Sequence, residues 1–242
     1  MLFLRSKKIF FSILLAACIS HTVSAQHSVF DPIPTSEWVE ENKDSLERTL
    51  LRNKKVPAKF ENSILTALMY YPELENTSIK FKTRGIATTM AARPTLFSIF
   101  KRKHKRDYII SINNKENKRK APLLEEVSFE AQAGIVGHEL AHIVDYNDKN
   151  AIGVIALGIG YAFSNEYRRD LEYKIDRMAI NRGLGDGLYA FRLYVEEDAK
   201  TTQKYRNYKE YIYLTSTEIA QLIKSIDDLA TSETVIENAI KY

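Results

Sequence analysis

The segment Gly137-His138-Glu139-Leu140-Ala141-His142 holds two histidines four residues apart with a glutamate beside the first. On a helix that spacing sends both imidazoles out of one face, where they can converge on a single ion. Neutral imidazole suits a borderline cation such as zinc. Glu139 projects beside the pair, placed to hold a metal-bound water and take its proton. Zinc lowers the pKa of a bound water from ~15.7 toward ~7, so a hydroxide nucleophile exists at neutral pH. The chemistry anticipated is hydrolysis, with Glu139 as general base.

A catalytic zinc takes three protein ligands and keeps one position open. His27 lies near a terminus and His104 in a basic run, so a carboxylate must complete the set. Glu172 and Asp176 stand four residues apart and share one helix face. Glu172 is expected to bind the metal. Asp176 is expected to accept the N–H of a zinc-bound imidazole, which fixes its tautomer and raises its basicity. Glu166, Asp170, Asp145 and Asp148 are rival ligands, and Asp145 could instead support His142 from behind. The plainer alternatives are a surface histidine pair, and a Glu172 that pairs with Lys174 or an arginine on a solvated face.

Helices must position these groups. Ser128 can cap a helix running to about Tyr146, with Phe129, Ala133, Val136, Leu140 and Ile143 on its apolar side. Residues 165–182 form another, with Leu171, Ile175 and Met178 inward and Gly183 as its stop. Residues 151–163 are apolar on every side and read as a buried segment, too short for a membrane span. Residues 188–199 and 216–229 give two more helices. Upstream, residues 37–53 form a helix with Trp38, Leu46 and Leu50 inward, and Pro57 and Pro72 bracket a second. Residues 79–83 alternate as a strand. Residues 95–100 and 108–112 read as a hairpin whose tip is Lys101-Arg102-Lys103-His104-Lys105-Arg106, and residues 113–120 as a loop. That tip is a solvated turn or a contact for anionic lipid or an acidic substrate. Tyr205, Tyr208 and Tyr211 recur every three residues and are expected in the core.

At 242 residues, 45% hydrophobic and 27% charged, the chain is expected to be one folded domain over residues 26–242, and is no collagen or disordered polymer. Residues 1–25 read as an export signal. Arg5, Lys7 and Lys8 precede an apolar run, and Val23-Ser24-Ala25 supplies a cleavage site. Leu15-Ala16-Ala17-Cys18 competes as a lipoprotein signal that would put a lipid, and with it membrane association, on Cys18. The protein is thus expected to be periplasmic or secreted, with the lipid-anchored form as the alternative. Three of the 35 Lys and Arg leave with the signal and none of the 31 Asp and Glu does, so the mature chain is nearly neutral. The basic balance therefore gives no argument for nucleic acid as a partner. The single Cys excludes a disulfide framework and a Cys-rich zinc site.

The His-Glu-x-x-His motif followed by a helix with Glu172-x-x-x-Asp176 resembles the gluzincin zinc peptidases. The stretch Leu171-Glu172-Tyr173-Lys174-Ile175-Asp176-Arg177-Met178-Ala179, ending in Arg182-Gly183-Leu184-Gly185, is closer to the CAAX prenyl endopeptidases and the HtpX-like bacterial proteases. The resemblance covers about residues 128–185. It implies one zinc held by His138, His142 and Glu172, with Glu139 as base, in an α+β, zincin-like domain that cleaves a protein or peptide substrate. It suggests a quality-control role in the cell envelope. The integral-membrane members carry transmembrane helices, whereas this chain has only the signal. In such domains a strand beside the active-site helix pairs with the extended substrate, and residues 108–112 are the candidate. The opposing expectation is a non-catalytic, zinc-binding envelope scaffold or binding protein. A metallohydrolase acting on a non-peptide bond is the third.

Overall fold

A computed structural model describes residues 32–115, 121–197 and 200–240, with side chains to residue 230. The expected export signal, Cys18 and His27 lie outside these residues. The described chain is helix-rich with a small mixed sheet, an α+β arrangement.

The first helical stretch breaks in two, α1 (Ser36–Glu41) and α2 (Lys43–Leu50), because Asn42 turns back and its side-chain amide donates to the Trp38 carbonyl. Val39, not the half-exposed Trp38, fills the core there. A two-residue strand β1 (Lys54–Lys55) leads to α3 (Glu61–Met69), whose Ile64, Leu65, Ala67 and Leu68 are buried. β2 (Ser78–Thr83), β3 (Met90–Pro94) and β4 (Asp107–Ile112) complete a sheet of order β1-β2-β4-β3. β1 and β2, and β2 and β4, pair in parallel; β3 pairs antiparallel with β4, Ala92 opposite Ile110.

The expected hairpin is corrected in two respects. The strand paired with β4 is β3, and residues 95–100 form a turn that ends at Ser98–Phe100. Ser98 Oγ donates to the carbonyls of Thr95 and Asp107 and closes that turn. Leu96 and Phe97 are consecutive and both exposed, so the aromatic content of the stretch does not carry the alternation a half-buried strand needs.

The helical half begins at α4 (Phe129–Asp148). Ser128 caps it, its Oγ accepting from the Ala131 N–H. α5 (Ala151–Phe163), α6 (Asn165–Ala179), α7 (Gly185–Glu197), α8 (Gln203–Ile212) and α9 (Ser216–Ile240) follow. A wide turn at Ile180–Leu184 joins α6 to α7, and Gly183 takes the left-handed φ of 95° there. α4 is the central element, packed by α3, α6, α7 and β3. α5 is not buried as expected: it rests on α6 and on the Ser98–Phe100 turn, so only Val154 and Leu157 are enclosed while Ile152, Ile155, Ile159 and Phe163 stand exposed. The expected tyrosine stripe divides likewise, with Tyr205 buried and Tyr211 48% exposed.

The α4–α7 crossing is a backbone contact. A Cβ on Gly134 would lie 2.2 Å from the Gly187 carbonyl carbon and 2.3 Å from the Leu188 nitrogen. Neither atom can move without shifting a helix. Gly134→Ala should therefore destabilise the fold by about 3 kcal/mol. Gly158→Ala, with nothing within 4 Å of the added carbon, should stabilise it by about 0.5–1 kcal/mol through helix propensity. Urea unfolding midpoints check both; similar midpoints for the two variants would contradict this packing.

Candidate metal centre

α4 carries His138, Glu139 and His142 to its buried side, with exposures of 2%, 5% and 8%. α6, capped by Ser164 Oγ accepting from Tyr167 N–H, presents a buried stripe of Leu171, Glu172, Ile175, Asp176 and Ala179. The two helices pack together, so two carboxylates face two imidazoles. Glu172 Oε2 lies 3.1 Å from His138 Nε2 and 3.2 Å from His142 Nε2. That oxygen is buried and has no aligned hydrogen-bond partner. The three side chains each offer a ligand atom, all within 4.8 Å of one another. Buried polar atoms are rarely left unmatched. Three donors converging on one point, with the carboxylate oxygen unmatched, fit a group that could hold a metal ion.

The other atoms of these residues are fixed from outside. Tyr161 on α5 donates its hydroxyl to Glu172 Oε1 at 2.6 Å, which leaves Oε2 to face the imidazoles. Asp176 Oδ1 lies 2.7 Å from His138 Nδ1, so the imidazole donates there and presents Nε2 inward. Arg192 on α7 donates to both Asp176 oxygens, at 3.1 and 3.3 Å, and the Leu214 N–H reaches Oδ2 at 3.1 Å. Tyr71 donates to the Gly137 carbonyl at 2.6 Å, next to the first histidine.

The electrostatics follow the geometry. Burial works against a charged His138, but the Asp176 and Glu172 carboxylates outweigh it and push its pKa up to about 9. Burial likewise opposes the Glu172 carboxylate, and the two imidazoles overcome it, holding its pKa well below the usual range. Asp176 is also held low, because Arg192 and His138 outweigh its burial. Glu139 goes the other way. Burial raises its pKa, and the imidazoles and a hydrogen bond from the Ala92 backbone on β3 offset this only in part. Glu139 Oε2 has no partner. A carboxylate of raised pKa with one free oxygen can both accept and return a proton.

Of the rival ligands, none joins the cluster. Asp145 is buried but taken by Lys149 and Lys174, each at 2.6 Å. Asp148, Glu166 and Asp170 are exposed. Sequence reasoning missed Tyr161, Arg192, Lys209 and Tyr213. Arg192 and Lys209 had a readable signal, since each is a charge inside an otherwise apolar helical stripe: Leu188, Phe191 and Val195 in α7, Tyr205 and Ile212 in α8. Lys209 Nζ sits 4.1 Å from the Tyr213 ring centroid, and burial lowers its pKa to about 7 against the opposing pull of Glu172, Glu139 and Asp176. No protein-family model, curated protein or solved structure matches this chain.

Two predictions follow from these contacts. Asp176→Asn should weaken binding of zinc, used as a probe ion, about 10–100-fold in competition with a chromophoric chelator; unchanged affinity would detach Asp176 from the site. Lys209 binds its proton less tightly when folded than when unfolded, so its burial destabilises the fold in full below pH ~7, and that cost fades as pH rises toward the unfolded value of 10.5. Lys209→Met should therefore melt higher than wild type at pH 7, with the gap narrowing by pH 9 in chelator-treated protein. A pH-independent gap would remove the buried-charge account.

Proposed function

We propose that this protein is an exported, zinc-dependent endopeptidase with a zincin-like domain of the gluzincin type, similar to the HtpX-like and CAAX prenyl endopeptidases. The observation that carries the reading is the convergence of His138 Nε2, His142 Nε2 and the unmatched Glu172 Oε2, beside a Glu139 with one oxygen free. His138, His142 and Glu172 would hold one zinc; three protein ligands are the number an open catalytic site uses. When bound, zinc supplies a Lewis acid that polarises a carbonyl and acidifies water.

The chain's own residues supply the rest. The Ala92 backbone on β3 favours the charged form of the Glu139 carboxylate. The free oxygen then accepts a proton from the attacking water and returns it to the leaving amine. Asp176 and Tyr161 hold His138 and Glu172 in register for the ion. A purely structural site has no need of a base at Glu139 and closes with a fourth protein ligand; the histidine–carboxylate cluster among the described residues has three members.

Extended substrate is assigned to β3 rather than to residues 108–112. β4 is bonded on both sides, to β2 and β3, and has no edge to offer. β3 has one. Asn113 N–H reaches Thr89 and Thr95 N–H reaches Asp107 across the β3–β4 ladder. By strand alternation, Met90, Ala92 and Pro94 turn their backbone groups to the outer edge, where the Met90 carbonyl accepts from Thr88 Oγ1 and Pro94 offers a carbonyl alone. That edge is the side from which Ala92 reaches Glu139, so a peptide added there would lie along the base. Export and action on misfolded envelope proteins rest on the N-terminal sequence and the family resemblance.

The purified protein should carry about one zinc per chain by mass spectrometry and cleave unfolded casein. Glu139→Gln should keep the zinc and lose activity about 10²–10⁴-fold. Glu172→Ala should lose the zinc. Zinc bound by every variant with no cleavage by any would favour a non-catalytic zinc-binding scaffold, and wild-type protein without metal would overturn the site.

A further inference from the structure

The outer side of α5 and the turn beside it form an apolar surface that the metal centre does not use. Val154, Leu157 and Tyr161 face inward along α5 at intervals of three and four residues. The opposite face presents Ile152, Ile155, Ile159 and Phe163, between 44% and 88% exposed. No charged residue occurs anywhere in Ala151–Phe163. The Ser98–Phe100 turn packs against α5 and adds Leu96, Phe97 and Phe100, each more than two-thirds exposed. Large exposed apolar side chains thus stand on two elements that pack against each other. Soluble proteins seldom leave so many large apolar groups together without a partner.

Cations border this patch. Lys101, Arg102, Lys103, His104 and Lys105 are all exposed and follow Phe100 directly. Acids near the basic run are Asp107, which pairs with Lys101 at 2.6 Å, and Asp148, whose backbone carbonyl accepts from Lys103 at 2.6 Å; exposed Glu166 stands three residues beyond Phe163, in the first turn of α6. The basic tip is mounted rigidly. Arg106 turns inward and donates to the carbonyls of Tyr146 and Lys149 at the end of α4, so it plugs the negative end of that helix.

We propose that this surface docks the protein on an anionic lipid bilayer, with the outer face of α5 and the aromatic turn inserted at the interface and the basic run on the headgroups. Length decides how α5 lies. Thirteen residues make a helix of about 20 Å, short of the ~30 Å hydrocarbon core, and no helix among the described residues is long and apolar enough to cross a membrane. A helix apolar toward the lipid and bordered by cations lies in the interface plane. Apolar side chains alone would suit a second copy of the chain equally; the cations select an anionic surface. Docking would also set the orientation of the metal centre, because the inner face of the same helix carries Tyr161 to Glu172.

The test places the chain's tryptophan in the patch. In the full chain, Trp38→Phe/Ile159→Trp moves the single Trp onto the outer face of α5, where an exposed side chain tolerates exchange. A second probe, Trp38→Phe/Phe163→Trp, covers a failure of the first to fold, judged by circular dichroism. Because the readout is local, a lipid or apolar segment elsewhere in the chain does not mimic it. Phosphatidylglycerol vesicles with brominated acyl chains should blue-shift and quench the probe, whereas phosphatidylcholine vesicles should do so weakly. Arg102→Gln/Lys105→Gln should weaken the phosphatidylglycerol effect roughly 25-fold, about fivefold per cation. Absence of quenching, or equal quenching by both lipids without dependence on salt, would overturn the proposal. So would a blue shift without vesicles that grows with protein concentration, which would identify a second copy as the occupant. Zinc content and casein cleavage stay independent of this readout, so loss of the peptidase reading would leave the docking result standing.

Discussion

Four carboxylates lie buried within two adjoining helices: Asp145, at 0% exposure, is taken by Lys149 and Lys174, and Glu139 at 5%, Glu172 at 1% and Asp176 at 0% share one cluster. A buried charge costs several kcal/mol unless it is paired and hydrogen-bonded. That constraint organises the second half of the molecule. Asp176 is met by Arg192 from α7, His138 from α4 and the backbone of Leu214 ahead of α9. Glu172 is met by Tyr161 from α5 on one oxygen, while the other faces the converging imidazoles at 3.1 and 3.2 Å without an aligned hydrogen bond. Four helices and the segment before α9 therefore close on one cluster of charges. The close approach of α7 that Arg192 depends on exists because Gly134 and Gly187 let two backbones touch.

Without an ion, His138 holds a proton up to a pKa of about 9 and so supplies the positive charge the carboxylates lack. A divalent cation among the three donors would supply that charge in place of the proton. Ion binding and proton release are thus one exchange, and affinity should fall as the medium becomes more acidic. Glu139 stands outside it. Its environment favours the neutral acid through burial, which is the property a group that both takes and gives a proton needs.

The parts of this arrangement legible in the sequence were those fixed by spacing within one element. The capped period of α4 placed both histidines on one face, and the four-residue step from Glu172 to Asp176 placed both carboxylates on another. What was not legible depends on contacts between elements. Met90-Ala91-Ala92-Arg93-Pro94 has none of the β-branched residues that mark a strand, and it is one because β4 supplies its ladder. The uniformly apolar α5 has no polar side from which to read an orientation, so the sequence carried no sign of which face would stay open. Arg192 and Lys209 interrupt apolar stripes, and such an interruption is the one local trace of a buried charge cluster elsewhere in the chain.

The sheet and α5 approach the same centre from different elements, and each has an inner task and an outer one. β3 turns the Ala92 N–H toward Glu139 while its free edge stays available for an extended chain. α5 turns Tyr161 toward Glu172 while its apolar face stays available for a surface. In both cases the inner contact is to a carboxylate of the cluster, a hydrogen bond in the case of Tyr161, so displacement of either element would change how that carboxylate is held. The buried acids are thus held from one side by an edge strand and from another by a helix whose outer face is apolar.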